Sequence, residues 1–345
     1  MRPHAHPATW LAGYIPDLPT PFDENDRIDL AAFAKLCERQ IEAGVPAVVV
    51  CETAGEASTL TPAEQETIIC AAVQIARGRT RVIAGAGSNS TSQAIALTRR
   101  AEAAGADAVL SVVPYYNKPM QIGIQAHFRA IADSTALPII LHDIPSRTIR
   151  ELSDETLARM SQSRQFIGLR DGTGDVLRPM RLRSRLPSSF RLLSGDDATA
   201  LAFVANGGDG CISTISNVAP ELCQALFLEL PAGTIAVCAL SAKSANAAER
   251  RAFQGEPGCP EVRVVHARLY PPEHPPADRG IGRTGESRGR ARHRGDRRRG
   301  SGLSRQERAP PSPAEGFSQQ LAYVPPADAR SRKCFSRHFG PGPRI

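Results

Sequence analysis

At 345 residues and 41% hydrophobic content, the chain can bury one large core and still carry an appendage, and no apolar run approaches the ~18 residues of a membrane span. The net charge of +7 is unevenly placed: residues 279–345 hold 16 of the 42 Lys and Arg against 5 of the 35 Asp and Glu, so that segment carries +11 and the rest −4. The body is therefore mildly acidic, and the basicity belongs to the C-terminal segment; no membrane partner is expected, and nucleic acid is not favoured as one. The opening Met1–Trp10 lacks the apolar stretch of a secretory leader. The eight cysteines (37, 51, 70, 211, 223, 238, 259 and 334) form no CxxC pair, so reduced thiols packed as small hydrophobes in a cytoplasmic protein are expected.

From Gly13 to Leu230, short β-branched runs alternate with amphipathic stretches. A first strand is predicted near Gly13–Thr20. Asp29 caps a helix over Leu30–Glu42 that Gly44 stops, and a strand follows at Ala47–Cys51. Thr61-Pro-Ala-Glu64 pairs an N-cap with proline at N1 and opens a helix that Gly78 closes. A strand over Arg81–Gly85 leads to a helix opened by Thr91 and ended at Gly105. Strands are predicted next at Ala108–Val113 and Pro138–His142, then a helix over Asp154–Ser161 begun by Ser153, then strands at Phe166–Arg170, Phe190–Ser194 and Asp209–Ser213. Continuous apolar runs of this kind suit strands covered on both faces. Eight strand–helix units in ~215 residues without hairpins predict an α/β (β/α)8 TIM barrel over residues 13–230, after an extension at 1–12. A doubly wound open sheet is the runner-up, but the Gly-rich loop usual after its first strand is missing.

Beyond the barrel the pattern fades. Residues 231–254 are read as a partial helical region, with Ala232–Phe253 the last credible helix, and 255–345 as a disordered Arg/Pro/Gly-rich tail. Thirteen of the 28 prolines lie between Pro257 and Pro343, and from Pro271 onward Leu, Ile, Val and Phe number 8 of 75 residues. Such a segment cannot build a core. The abrupt rise of arginine, proline and glycine with the near-loss of lysine is also what a displaced reading frame in a GC-rich gene produces. A basic arm for nucleic acid is the competing reading, and no binding module accompanies it.

In a (β/α)8 barrel the site gathers at the C-terminal ends of the strands. Those positions read Cys51-Glu-Thr-Ala-Gly-Glu-Ala-Ser-Thr-Leu60, Gly85-Ala-Gly-Ser-Asn89, Pro114-Tyr-Tyr-Asn-Lys-Pro119, Leu141-His-Asp-Ile-Pro-Ser-Arg-Thr148, Arg170, Ser194-Gly-Asp-Asp197 and Gly210-Cys-Ile-Ser213. Taken singly, small residues at strand ends serve tight turns and tyrosine pairs are packing. Their convergence on one rim is what points to a binding cleft.

The motifs T-x-G-E, P-Y-Y-N-K-P, P-S-R-T, S-G-D-D-A-T-A-L and G-G-x-G-x-I-S, in this order, resemble the dihydrodipicolinate synthase and N-acetylneuraminate lyase family of pyruvate-dependent aldolases, closer to the synthases. The resemblance implies a lyase that condenses pyruvate with aspartate semialdehyde on the diaminopimelate route to lysine. It also implies a homotetramer built as a dimer of dimers and no cofactor. By the same resemblance Thr53 is a relay threonine. Tyr116 is a relay tyrosine lent across a dimer interface, Arg147 receives the semialdehyde carboxylate at the entrance, and the Ile212 backbone carbonyl lines the pocket.

Three positions depart from the family pattern. Ala54 stands where a second threonine helps to hold the pyruvate carboxylate, and its backbone amide remains able to serve. His142 stands where the family has the tyrosine nearest the imine. A histidine can move protons near neutrality. Arg170 stands at the position of the Schiff-base lysine. Imine formation needs a neutral amine, and a guanidinium stays protonated with its lone pairs delocalised. Lys118 is the one lysine near the mouth. No His/Asp/Glu cluster has the spacing of a metal site. Three readings follow: a synthase working by altered chemistry, a keto-acid-binding pseudoenzyme, and the product of a damaged gene. A weakened barrel or tetramer is expected from the degenerate region after residue 230.

Overall fold

The structure, a computed structural model, describes residues 8–229; the expectations for the helical region after 230 and for the tail lie outside the described residues. Eight strands carry the fold: β1 (Gly13–Pro16), β2 (Ala47–Val50), β3 (Arg81–Gly85), β4 (Ala108–Val112), β5 (Ile139–Asp143), β6 (Phe166–Asp171), β7 (Arg191–Ser194) and β8 (Gly210–Ser213). Between and after them come α1 (Leu30–Glu42), α2 (Pro62–Ala76), α3 (Thr91–Ala104), α4 (Gln121–Ala132), α5 (Pro145–Thr148), α6 (Asp154–Met160), α7 (Arg178–Arg183), α8 (Ala200–Ala205), a 3₁₀ turn at Ile215–Asn217 and α9 (Pro220–Glu229).

The eight strands pair in parallel, and β1 closes the ring on both sides. On one side Gly13–Pro16 pairs with Gly210–Ser213 of β8. On the other, Asp17 bridges Val49, and the Leu18 amide donates to the Val49 carbonyl at 2.9 Å. The result is a (β/α)8 barrel. The helix ends follow local chemistry. The Asp29 carboxylate accepts from the amides of Ala31 and Ala32, satisfying donors that the first turn leaves free. Thr61 and Glu64 form a reciprocal capping box with Pro62 at N1. α3 is capped by Ser90, one residue earlier than expected, because the Ser90 hydroxyl accepts from the Gln93 amide. β2 stops at Val50, short of the expected Cys51, because Cys51 turns to φ 55° and leaves the ladder.

The two-residue period of the strands sorts their side chains into two layers. Ile15, Val49, Ile83, Leu110, Ile140, Leu193 and Ile212 fill the barrel interior, joined by Leu11 from the chain just before β1. Residues 8–12, expected as an extension, thus plug the N-terminal end of the barrel: Leu11 is fully buried and the Arg81 guanidinium lies 5.1 Å over the Trp10 ring. Outward-facing residues, among them Val48, Val50, Val82, Val109, Leu141 and Leu169, pack under the helices with Phe33, Ile68, Phe128 and Leu157. This core positions the strand ends that carry the site.

Candidate active site

Continuing the inward alternation of β5 and β6 past Ile140 and Gly168 brings His142 and Arg170 to the inside of the C-terminal mouth, where they pair across the two strands. From β1 the same step leads past Ile15 to Asp17. After β2 the left-handed turn at Cys51 swings Glu52 into the same space. Two glycines make room for this arrangement. A Cβ on Gly85 would lie 1.9 Å from the Cys51 carbonyl oxygen, and one on Gly195 would lie 3.1 Å from the Arg170 Cγ.

These four side chains form one buried network. Arg170, 3% exposed, donates from Nη1 to Asp17 Oδ2 at 2.9 Å and to Glu52 Oε2 at 3.0 Å. The other Glu52 oxygen, Oε1, lies 3.0 Å from His142 Nδ1. Glu52 Oε2 also accepts from both the amide and the hydroxyl of Thr53, and the Ala54 amide donates to Asp17 Oδ2 at 3.4 Å. Within this buried cluster Asp17 Oδ1, Arg170 Nε and His142 Nε2 have no hydrogen-bond partner.

The electrostatics follow from burial and pairing. Burial pushes the Asp17 carboxyl up to about 6, aided by the neighbouring Glu52 and opposed by Arg170. Burial also works against ionisation of Glu52, but His142, Arg170 and the Thr53 hydrogen bond outweigh it and hold the carboxyl well below the usual range. Burial lowers the His142 pKa despite Glu52, and its Nδ1–H donates to the Glu52 carboxylate. Burial opposes the charge on Arg170 as well, yet the two carboxylates raise its pKa further.

A second ion-pair cluster lies on the other side of the same strands. Asp143 and Asp171, one residue beyond His142 and Arg170, face outward and meet Arg178 of α7. Arg178 donates to Asp143 at 2.8 Å, to Asp171 at 3.3 Å, to Asp154 at 2.9 Å and to the Leu152 carbonyl. Burial pushes Asp143 up to about 6 against the pull of Arg178. This cluster braces the two strand ends from behind.

Of the residues singled out from sequence, the structure brings Thr53, Ala54, His142 and Arg170 together. Ile212 is buried on β8 within the interior layer, beside Ile15. Arg147 lies on α5 and is exposed at the rim. Tyr116 is 88% exposed on the loop after β4, held at φ 70°. The lysines among the described residues are Lys35 on α1 and Lys118 on the β4–α4 loop, both exposed. Among the described residues no group of three or more His, Cys, Asp or Glu is placed to hold a metal ion, and no helix is long and apolar enough to cross a membrane. Sequence reasoning missed Asp17 and Glu52. The available signal was a carboxylate at the end of each of two apolar strands, a placement that needs a countercharge.

A closed (β/α)8 barrel whose polar side chains converge at the strand C-termini belongs to the class in which that mouth is the working end. The dihydrodipicolinate synthetase family model matches residues 10–259, and the chain belongs to that family. The 4-hydroxy-tetrahydrodipicolinate synthase of Hyphomonas neptunium is 50% identical over 242 residues, 69% of this chain and 80% of the relative. That of Gluconobacter oxydans is 46% identical over 223 residues, 65% of this chain and 75% of the relative. Among solved structures, dihydrodipicolinate synthase from Aquifex aeolicus superposes with a TM-score of 0.69 at 36% identity, covering 75% of this chain and 88% of that one. The chloride-inhibited enzyme of Acinetobacter baumannii, solved with pyruvate, gives a TM-score of 0.69 at 34% identity and covers 78% and 94%.

Proposed function

We propose that this chain is a synthase-type member of the family, on a scaffold for condensing pyruvate with aspartate semialdehyde in diaminopimelate and lysine biosynthesis, and that it does not turn these substrates over through an imine. The observation that carries this reading is the setting of Arg170. Its guanidinium fills the position that the family resemblance gives to the Schiff-base lysine, and it is held between two buried carboxylates. A guanidinium so placed is a permanent cation with no lone pair to offer a carbonyl carbon. Lys118 lies exposed on a rim loop, away from the buried network, and Lys35 lies on an outer helix.

The remaining rim is consistent with the family architecture. Arg147 offers an exposed fork suited to a carboxylate at the entrance. Tyr116, Met120, Ile122 and Ile149 are exposed by 88%, 76%, 77% and 64%, and exposed large apolar side chains on the segments after β4 and α5 suit a homo-oligomer lending Tyr116 to its neighbour. A cytoplasmic homotetramer is the assembly we propose.

The test is an assay of the purified chain with pyruvate and aspartate semialdehyde, following pyruvate-dependent loss of the semialdehyde. No turnover above the uncatalysed background is expected. Sustained turnover would overturn the reading.

A further inference from the structure

Two amides, a hydroxyl and a guanidinium gathered at one buried mouth make a receptor for carboxylates, because each supplies an N–H or O–H and one supplies a full positive charge. Such a set exists at this mouth: the Thr53 amide and hydroxyl, the Ala54 amide and Arg170 Nη1. All four are already taken by carboxylates of the chain itself. Glu52 Oε2 accepts from Thr53 twice and from Arg170, while Asp17 Oδ2 accepts from Ala54 and again from Arg170.

We infer that Glu52 is the specificity-determining residue of this barrel: its carboxylate occupies the inner carboxylate subsite, and the wild-type pocket thereby refuses small monocarboxylates such as α-keto acids. The inference deepens the proposed function, resting on the mouth as the ligand site and explaining why the chain lacks not only the nucleophile but also a vacant anchor for its substrate.

The geometry favours occupation over simple charge repulsion. Glu52 is fixed from both ends, by His142 Nδ1 on Oε1 and by Thr53 and Arg170 on Oε2. An incoming carboxylate would have to break contacts to three charged or polar partners before making its own.

The experiment is pyruvate binding to the full-length protein, by calorimetry and by ligand-detected NMR, in the wild type and in Glu52→Ala, Glu52→Gln and Glu52→Asp. Alanine vacates the three acceptor positions of Oε2, so Glu52→Ala should bind pyruvate at least about tenfold tighter than the wild type, the scale of one charge-assisted hydrogen bond. Glutamine removes the charge but keeps an acceptor oxygen of the same reach, so Glu52→Gln should stay close to the wild type. Aspartate keeps the charge but is shorter by one methylene and withdraws from Thr53, so it too should gain affinity; it decides the matter if the alanine variant does not fold. Wild-type binding as tight as that of Glu52→Ala would overturn the inference, as would an equal gain in Glu52→Gln, which would trace the exclusion to charge alone. Turnover by the wild type would sink the proposed function while leaving these affinity ratios to be judged separately.

Discussion

Arg170→Ala is expected to lower the unfolding free energy by about 3–5 kcal/mol, the range for removing one partner from a buried ion pair. For a domain of this size that corresponds to a Tm drop of roughly 6–20 °C. The cost comes from what stays behind. Asp17 and Glu52 would keep their burial and lose their shared cation, and Glu52 would retain only His142 and Thr53. The loss should shrink as the pH falls towards about 6, because Arg170 lowers the Asp17 pKa and without it the buried carboxyl takes its proton at a higher pH than in the wild type. Replacing all three groups by neutral residues of similar volume, Asp17→Asn with Glu52→Gln and Arg170→Met, should recover most of the stability. Urea denaturation of the two variants measures both effects. A cost below about 1 kcal/mol for Arg170→Ala, the scale of an exposed pair, would mean that the guanidinium is not paired as described.

Arg178→Ala should cost a comparable amount, again about 3–5 kcal/mol, for a reason on the outer face of the same strands. Arg178 joins Asp143 of β5, Asp171 of β6 and Asp154 of α6, and also holds the Leu152 carbonyl. Removing it leaves Asp143 fully buried with no cation, and frees the ends of β5 and β6 that carry His142 and Arg170. Arg178→Lys should recover less than half of the loss, because a single ammonium cannot reproduce a fork that reaches four acceptors. Calorimetric melts of the two variants would show this, and a lysine variant as stable as the wild type would refute the bracing role.

The barrel was legible because its signals are local: caps at Asp29, Thr61 and Ser153, and apolar runs of strand length between them. Even there, a boundary slipped where a backbone angle decided it, as at Cys51, since no side-chain pattern announces a left-handed turn on a cysteine. His142 and Arg170 stood out because motifs frame them. Asp17 and Glu52 did not, because their meaning is non-local. Asp17 lies 153 positions from Arg170 and Glu52 lies 118 from it, so only closure of the ring brings either carboxylate to the guanidinium. The physical clue was present in the strand Gly13-Tyr-Ile-Pro and its continuation into Asp17: a carboxylate at an inward position of a barrel strand must find a cation. The outer cluster was equally hidden, since Asp143 and Asp171 look like ordinary residues beside two conspicuous ones until the alternation of β5 and β6 assigns them the opposite face.

The central claim, that a paired guanidinium has replaced imine chemistry at this mouth, is tested most directly by borohydride reduction of the purified wild-type protein in the presence of pyruvate, read by intact-mass spectrometry. An unchanged mass is expected, because among the described residues no lysine amine lies at the buried site. A gain of one reduced pyruvate, mapped to any lysine of the barrel, would contradict it.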